Sequence, residues 1–532
     1  MKTGCYFAVV LGLWTSFMCD VQADWVKKSI VHPGKDITNT NSDEKILRFI
    51  PQILREDGHP SKAFYQEKQI PGREPKTLVP KLVFDDYEVR SIVSQGPTSN
   101  RINLTIVGDG YTLAEKERFF EDANRLTQEL FTGSTFASYL PLFNVHAVFV
   151  PSNESGLSDR IHKDTALGLY RDPPGSKRAI MPGNMETIDA ALALAPKTDY
   201  PILIANDEFY GGLGGEYAIT TRSLESGIVV LRHELGHNFG EVGEEYDGGY
   251  VYSGANSSPT NQVPWTHWVQ SDIRTYESLF LSDNYVWHDL NIQPYSTQFD
   301  FPYPSEKGPY QFEILISSVG WKSPEDVSIL LDGHIGQLEG HYTADRSFFT
   351  FHLNESLAPG NHQLEIIANN HDSEHVLAFA EIYAHPGDLD WTQDNVQAFA
   401  TYDYAGQKAG YRPTHRSCLM RDMSIPHFCA VDLENMWIRF LSRIHLIDSL
   451  EINTQSTGTQ VHLKTPQLNH LEISWYTVSD HDIEREIPEL NGKTSWELPK
   501  NLKGKIRARV RFNSPEVRSP ESTFQDSRDL YL

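Results

Sequence analysis

Residues 231–246 read Leu231-Arg232-His233-Glu234-Leu235-Gly236-His237-Asn238-Phe239-Gly240-Glu241-Val242-Gly243-Glu244-Glu245-Tyr246. Two histidines four apart on a helix share one face and can hold a single zinc ion, and the Glu between them stands where a general base is needed. Ile228, Leu231, Leu235 and Phe239 recur at helical spacing, which gives the helix a core stripe and leaves His233 and His237 on an adjacent face. Ser223 or Ser226 is placed to cap its start, and Gly240 to end it in a left-handed conformation. Amphipathic helices that bind no metal also carry this five-residue pattern by accident, so the surrounding residues decide the reading.

Upstream, residues 102–107 read as a strand, Gly108-Asp109-Gly110 as a turn, and Thr112 onward as a helix carrying Phe119, Phe120, Leu126 and Leu130. A strand at 143–150, a helix at 180–194 and a strand at 201–205 continue the alternation, which predicts an α/β catalytic core with a mixed sheet and a long active-site helix. The run Gly211-Gly212-Leu213-Gly214-Gly215 is not a phosphate loop, since no Lys-Ser/Thr follows and no helix opens from it. Close backbone approach near a cleft fits it better, ahead of a strand at 216–220.

Zinc catalysis needs three protein ligands and one open position for water. Beyond Gly240, the acids Glu244, Glu245 and Asp247 can return a carboxylate to the metal; Glu244 is the expected ligand, Glu245 the reserve, and at least one of the three is expected to be a solvated surface charge. Ser417-Cys418-Leu419-Met420-Arg421-Asp422 resembles the Met-turn of metzincins, a tight turn whose Met, here Met420, packs beneath the metal. His267, His415 and His427 read as structural histidines rather than ligands.

The 532 residues carry a formal net charge of -25, which argues against nucleic acid or an anionic membrane surface as the main partner. Residues 1–23 read as a cleaved signal peptide, with Lys2, an apolar run from Cys5 to Cys19 and small residues near Ala23, so the protein is expected to be secreted, with no stable membrane insertion. Cys418 and Cys429 remain, and an even pair in a secreted chain most simply forms one disulfide, a contribution of roughly 2–3 kcal/mol in the chain-entropy model. Sequons at Asn103, Asn153, Asn256 and Asn354 are glycosylation candidates.

The domain order expected is a signal peptide at 1–23, an N-terminal segment or pro-region at 24–95, and a catalytic domain in two parts at 96–303 and 389–448. A β-sandwich-like domain at 304–388 is inserted between the two parts, and an all-β domain at 449–532 ends the chain. Both β-segments alternate apolar and polar residues between turns, and either can bind a glycan or a protein.

These residues also carry a resemblance. Gly108-Asp109-Gly110-Tyr111, Phe143-Asn144-Val145, Pro151-Ser152-Asn153-Glu154-Ser155-Gly156, Tyr210-Gly211-Gly212 and His233-Glu234-Leu235-Gly236-His237 with Glu245-Tyr246 resemble the IgA-peptidase family of metallopeptidases, family sixty-four. The resemblance covers roughly 100–300 and 390–445 and implies a metzincin-like fold with one catalytic zinc. That family usually has Asp at the position of Glu244, and the third His of a metzincin would fall at Gly243, which cannot ligate.

The function expected is a secreted zinc metalloendopeptidase acting on protein or peptide substrates, with Glu234 as general base and Tyr246 as a candidate donor to the oxyanion. Two other readings are a zinc hydrolase of a non-peptide bond and a non-catalytic extracellular binding or adhesion protein. A strand preceding the helix, able to align a peptide by β-addition, and the intact Glu234 weigh against them.

Overall fold

The alternating strands and helices of the first part build a five-stranded sheet from β1 (Glu88–Val93), β2 (Ile102–Asp109), β3 (Phe143–Phe149), β4 (Tyr200–Ala205) and β5 (Ala218–Thr221), in the order β1-β3-β2-β4-β5. Strands β3, β2, β4 and β5 are parallel and β1 is antiparallel at one edge, so the sheet is mixed. The computed structural model describes residues 84–532 apart from 85, 173–177, 250–251, 270–271, 283–285, 307, 353–356, 388–394, 404, 457 and 521–523, together with 45–48 and 66–69. The chain divides into Met1–Thr77 and Leu78–Leu532, and in the first unit Lys45–Arg48 pairs antiparallel with Gln66–Gln69. The signal-peptide reading at 1–23 and most of the segment 24–95 lie outside the described residues.

Helices α1 (Lys116–Leu130), α2 (Met185–Leu192) and α3 (Gly227–Gly240) flank the sheet. Ile102, Leu104 and Ile106 join one core with Phe119 of α1 and Leu231, Leu235 and Phe239 of α3. Val107, Leu203 and Ala205 point the other way and join Ile188 of α2. Strands buried on both faces need such continuous apolar runs.

Three expectations shift. Strand β2 continues through Asp109, whose buried carboxylate accepts the Leu167 and Leu169 amides at 2.7 Å, so Gly108-Asp109 ends a strand rather than making a turn. Residues 180–194 are not one helix: Ile180–Met181 is a strand paired with Tyr170–Arg171, and after Pro182-Gly183 the helix α2 starts at Met185, with Asn184 accepting from the Thr187 amide at 3.1 Å. Because β1 pairs with β3, the catalytic unit also begins before residue 96.

Two antiparallel sheets follow. One orders Leu279–Ser282, Val376–His385, Gln311–Val319, Arg346–His352 and Gln337–Gly340; the other orders Tyr295–Phe301, Gly360–Ala368, Val327–Leu331 and His334–Ile335. Alternate side chains of both, among them Phe299, Ile316, Ile329, Phe351, Ile366 and Ile382, share one core. Since Leu279–Ser282 and Tyr295–Phe301 belong to these sheets, the unit starts ahead of residue 304.

The chain then returns to the first core through α4 (Ala430–Leu441), whose Met436 and Phe440 are buried in it. Two further antiparallel sheets, of three and four strands, occupy Ser449–Tyr531, and Phe512 packs at a tilt against Trp437 of α4 with ring centroids 4.5 Å apart. Among the described residues no helix is long and apolar enough to cross a membrane.

Candidate metal centre

Helix α3 is fixed at both ends by side chains distant in sequence. At its start Ser226 is the N-cap residue but makes no side-chain cap bond, while the Ser223 hydroxyl accepts the Glu225 and Ser226 amides at 3.1 and 3.0 Å; both hydroxyls donate to Asp345 Oδ2 at 2.6 Å, and the Tyr210 amide donates to Asp345 Oδ1 at 2.7 Å. A buried carboxylate at a helix N-terminus is favourable against the helix dipole. At its end the left-handed residue is Glu241 (φ 49°), not Gly240, which is the last helical residue. Helix α4 explains the shift: Arg439 donates to the Phe239 carbonyl at 3.1 Å and pairs with the Glu241 carboxylate, while Asn435 donates to the Gly240 carbonyl.

His233 and His237 are 6% exposed each and face each other edge-on, ring centroids 4.9 Å apart. Their Nδ1 atoms lie 3.2 Å from the Leu419 carbonyl and 2.8 Å from the Val242 carbonyl, so each Nδ1 carries the proton and each Nε2 presents a lone pair. Both Nε2 atoms point at Glu244, at 3.2 Å from Oε2 and 3.2 Å from Oε1. Three acceptors converging in a buried site repel unless a cation or an extra proton lies between them, so this donor set fits a metal ion. The electrostatics agree. Burial opposes charge on His237, yet the Glu244 carboxylate overrides it and lifts the imidazole to about 9, while Glu244, also opposed by burial, is held well below the usual carboxylate range by His237 and His233.

Glu234 projects beside this group. Burial pushes its carboxyl up, against the pull of His233 and His237. Its Oε2 lies where a Cβ on Gly214 would be, 2.2 Å away, so the glycine-rich run makes the close backbone approach its composition suggests. At Ile219, however, the outer edge of β5 is already taken: Ile219 and Leu213 exchange both backbone hydrogen bonds, at 2.9 and 3.2 Å. The strand preceding α3 therefore offers a peptide less free edge than expected.

The three acids after the helix go to three different places. Glu244 faces the histidines. Glu245, fully buried, turns away toward Asn256, which donates to its Oε1 at 3.0 Å, and toward Cys429 Sγ at 3.7 Å. Asp247, also fully buried, meets Arg412 at 3.0 Å, Arg421 at 3.3 Å and the Tyr383 hydroxyl at 2.7 Å. None is the solvated surface charge expected of at least one of them. The Tyr246 carbonyl accepts from the Tyr252 hydroxyl at 2.9 Å, and its ring lies beside Gly249.

Met420 is fully buried in the turn closed by the Arg421 amide donating to the Cys418 carbonyl at 2.9 Å. Its Sδ lies 2.9 Å from where a Cβ on Gly236 would be, so the glycine of His-Glu-Leu-Gly-His admits the methionine under the helix. Cys418 and Cys429 are both free and buried, which corrects the disulfide expectation; each thiol instead points at a carboxylate, Cys418 at Asp432 Oδ2 (3.0 Å) and Cys429 at Glu245. His267 pairs with Glu434, His415 belongs to the group around Glu313 and His385, and the His427 carbonyl accepts from the Leu419 amide.

Two sequons are corrected as well. Asn103 is fully buried in β2, its amide donating to Asp199 Oδ2 at 2.8 Å, and Asn256 is 1% exposed with its amide committed to Gly243 and Glu245, so neither can carry a glycan in the folded protein. Asn153 is exposed, and Asn354 lies outside the described residues.

No curated protein matches the chain. A family model described as IgA Peptidase M64 matches residues 91–302, from β1 through the histidines, Glu234 and Glu244 to the first strands of the following sheets. A match to that metallopeptidase family implies a metal ion, which the convergence of His233, His237 and Glu244 can hold. Residues 91–302 therefore make up a domain of the IgA Peptidase M64 family.

Proposed function

We propose that the protein is a secreted zinc-dependent endopeptidase of metzincin-like architecture, with its two-sheet insert forming a β-sandwich. The observation that carries the reading is the convergence of His233 Nε2, His237 Nε2 and the Glu244 carboxylate beside a Glu234 raised by burial. Two imidazoles and a carboxylate are a catalytic zinc set with room for a fourth, exchangeable position. A zinc ion held there supplies Lewis acidity toward water and toward a peptide carbonyl.

The remaining work belongs to the chain. Glu234 takes a proton from the attacking water and returns it to the leaving amine, and a carboxyl raised toward neutrality suits both transfers. The Leu419 and Val242 carbonyls favour the tautomer of each imidazole whose lone pair is on Nε2. Gly214 keeps the backbone close to Glu234 and confines its carboxylate. Tyr246 is the candidate donor to the oxyanion, and its substitution by Phe is expected to lower kcat more than it raises KM.

The test is metal analysis with activity on unfolded protein substrates for wild type and Glu234→Gln. The expected outcome is zinc in both proteins and a loss of roughly 100- to 10,000-fold in kcat for the variant. A wild-type protein that holds zinc and cleaves no peptide bond in an unfolded substrate would sink the reading.

A further inference from the structure

Glu245, Cys418, Cys429 and Asp432 place one ligand atom each within 4.8 Å of one another, and all four are buried. They come from three separated places: the turn after α3, the turn that carries Met420, and the boundary and first turn of α4. From this geometry we propose that they form a second, closed metal site that binds zinc as a structural ion. The reading is independent of peptidase activity.

Four observations support it. First, a tetrahedron built on Zn–S and Zn–O bonds of ordinary length has S–O edges of about 3.6 Å. The two sulfur–oxygen pairs here, Cys418 Sγ to Asp432 Oδ2 at 3.0 Å and Cys429 Sγ to Glu245 Oε1 at 3.7 Å, bracket that value.

Second, each carboxylate keeps an oxygen, Glu245 Oε2 and Asp432 Oδ1, that is buried without a hydrogen-bond partner. Both residues are fully buried. Two carboxylates left in this way among two thiols gain most from a shared cation.

Third, the outer contacts are those of an oriented ligand set. Asn256 donates to Glu245 Oε1 at 3.0 Å, and the Cys429 amide donates to Cys418 Sγ at 3.3 Å.

Fourth, the chemistry selects the metal. Two thiolates with two carboxylates match a borderline-soft dication, and their summed charge of four equals that of the all-cysteine structural zinc sites. With four protein ligands and no exposed face the site has no position for substrate, which assigns it to structure rather than catalysis. The other His/carboxylate group, Glu313 with His385 and His415, does not compete, because Arg416 already pairs with Glu313 at 2.9 Å.

Such an ion would tie Glu245, the neighbour of the catalytic ligand Glu244, to the turn of Met420 and to α4. It would also keep both thiols from oxidation in an extracellular setting.

Cobalt(II) exchange tests it, because the histidine site offers no sulfur. Full-length protein purified without reductant and loaded with cobalt is expected to show thiolate-to-cobalt charge-transfer absorption in the near ultraviolet, retained in His237→Ala and lost in Cys418→Ser/Cys429→Ser. Zinc content is expected at two ions per chain in wild type and one in each of these variants. Should the double cysteine variant fail to fold, the wild-type spectrum and alkylation still decide: both cysteines are expected to react with iodoacetamide once the protein is unfolded with chelator. A cobalt-loaded wild type without the sulfur band, or an unfolded chain whose cysteines resist alkylation because they are joined to each other, overturns the proposal.

Discussion

The Glu245 amide donates to the Met420 carbonyl at 3.0 Å, fastening the turn that delivers Glu244 to the turn that underlies the helix. One residue earlier, the Leu419 carbonyl holds His233 Nδ1. Met420 is thus the packed centre of a joint between the turn that carries Glu244 and the carbonyl that holds His233. Met420→Ala is expected to cost about 2–5 kcal/mol in unfolding and to weaken metal binding by roughly 10- to 100-fold, whereas Met420→Leu keeps most of both. Chelator titration of the two variants checks this; equal zinc retention in both would separate the methionine from the site.

Gly214 crowds Glu234, the proposed general base, without contributing a side chain. A methyl group there would meet Glu234 Oε2 at 2.2 Å, so Gly214→Ala must displace the carboxylate. A fall in kcat of roughly 10- to 100-fold with unchanged zinc content is expected. Lost zinc with intact specific activity per ion would point instead to a folding defect.

The pairing of His237 with Glu244 makes metal uptake proton-linked. In the metal-free protein His237 is raised from 6.5 to about 9, so its contribution to stability is full below 6.5 and disappears as the pH rises through about 9. Glu244 is lowered from 4.5, so its contribution is present above 4.5 and lost on acidification below it. Between 6.5 and 9 a metal must displace the proton on His237. Calorimetry in buffers of different ionisation enthalpy near pH ~7.5 should therefore record release of about one proton per zinc bound at this site. No release, or the same release from His237→Ala, would contradict the arrangement.

Asp345, in the bend just before the inserted strand Arg346–His352, accepts two serine hydroxyls at the start of α3 and the Tyr210 amide. Asp345→Ala strands two hydroxyls and an amide in a buried place and is expected to lower stability by ~2–3 kcal/mol, while also loosening the helix that carries both histidines. Denaturant unfolding monitored beside zinc affinity reads both effects. A stability change within ~0.5 kcal/mol would show that water replaces the carboxylate at no cost.

What could be read from the sequence was what is local. Leu231, Leu235 and Phe239 set the buried stripe of α3 by spacing alone, and the histidines follow from it. The need for a third ligand singled out the acids after Gly240, and Glu244 is the one the fold turns toward the imidazoles. The destinations of the others were hidden, because their partners are remote: Cys429 lies 184 residues from Glu245, and Arg412 lies 165 from Asp247. Counting cysteines suggested a disulfide because the count holds no geometry, and the carboxylates between which the thiols sit come from other segments. Asn103 failed as a sequon for a related reason, since the triplet reports residue identity while Asp199 and the sheet determine that the amide is enclosed.

The joint between Glu245 and Met420 also sets when the site can exist. His233, Glu234, His237 and Glu244 are all synthesised long before the turn at Met420, and at ~5–20 residues per second roughly 9–35 s of translation separates Glu244 from Met420. During that interval the nascent chain carries the histidines without the carbonyl that orients His233 and without the floor beneath Gly236. A hydrolytic centre completed only by its last-made part stays incompetent while the chain is still on the ribosome.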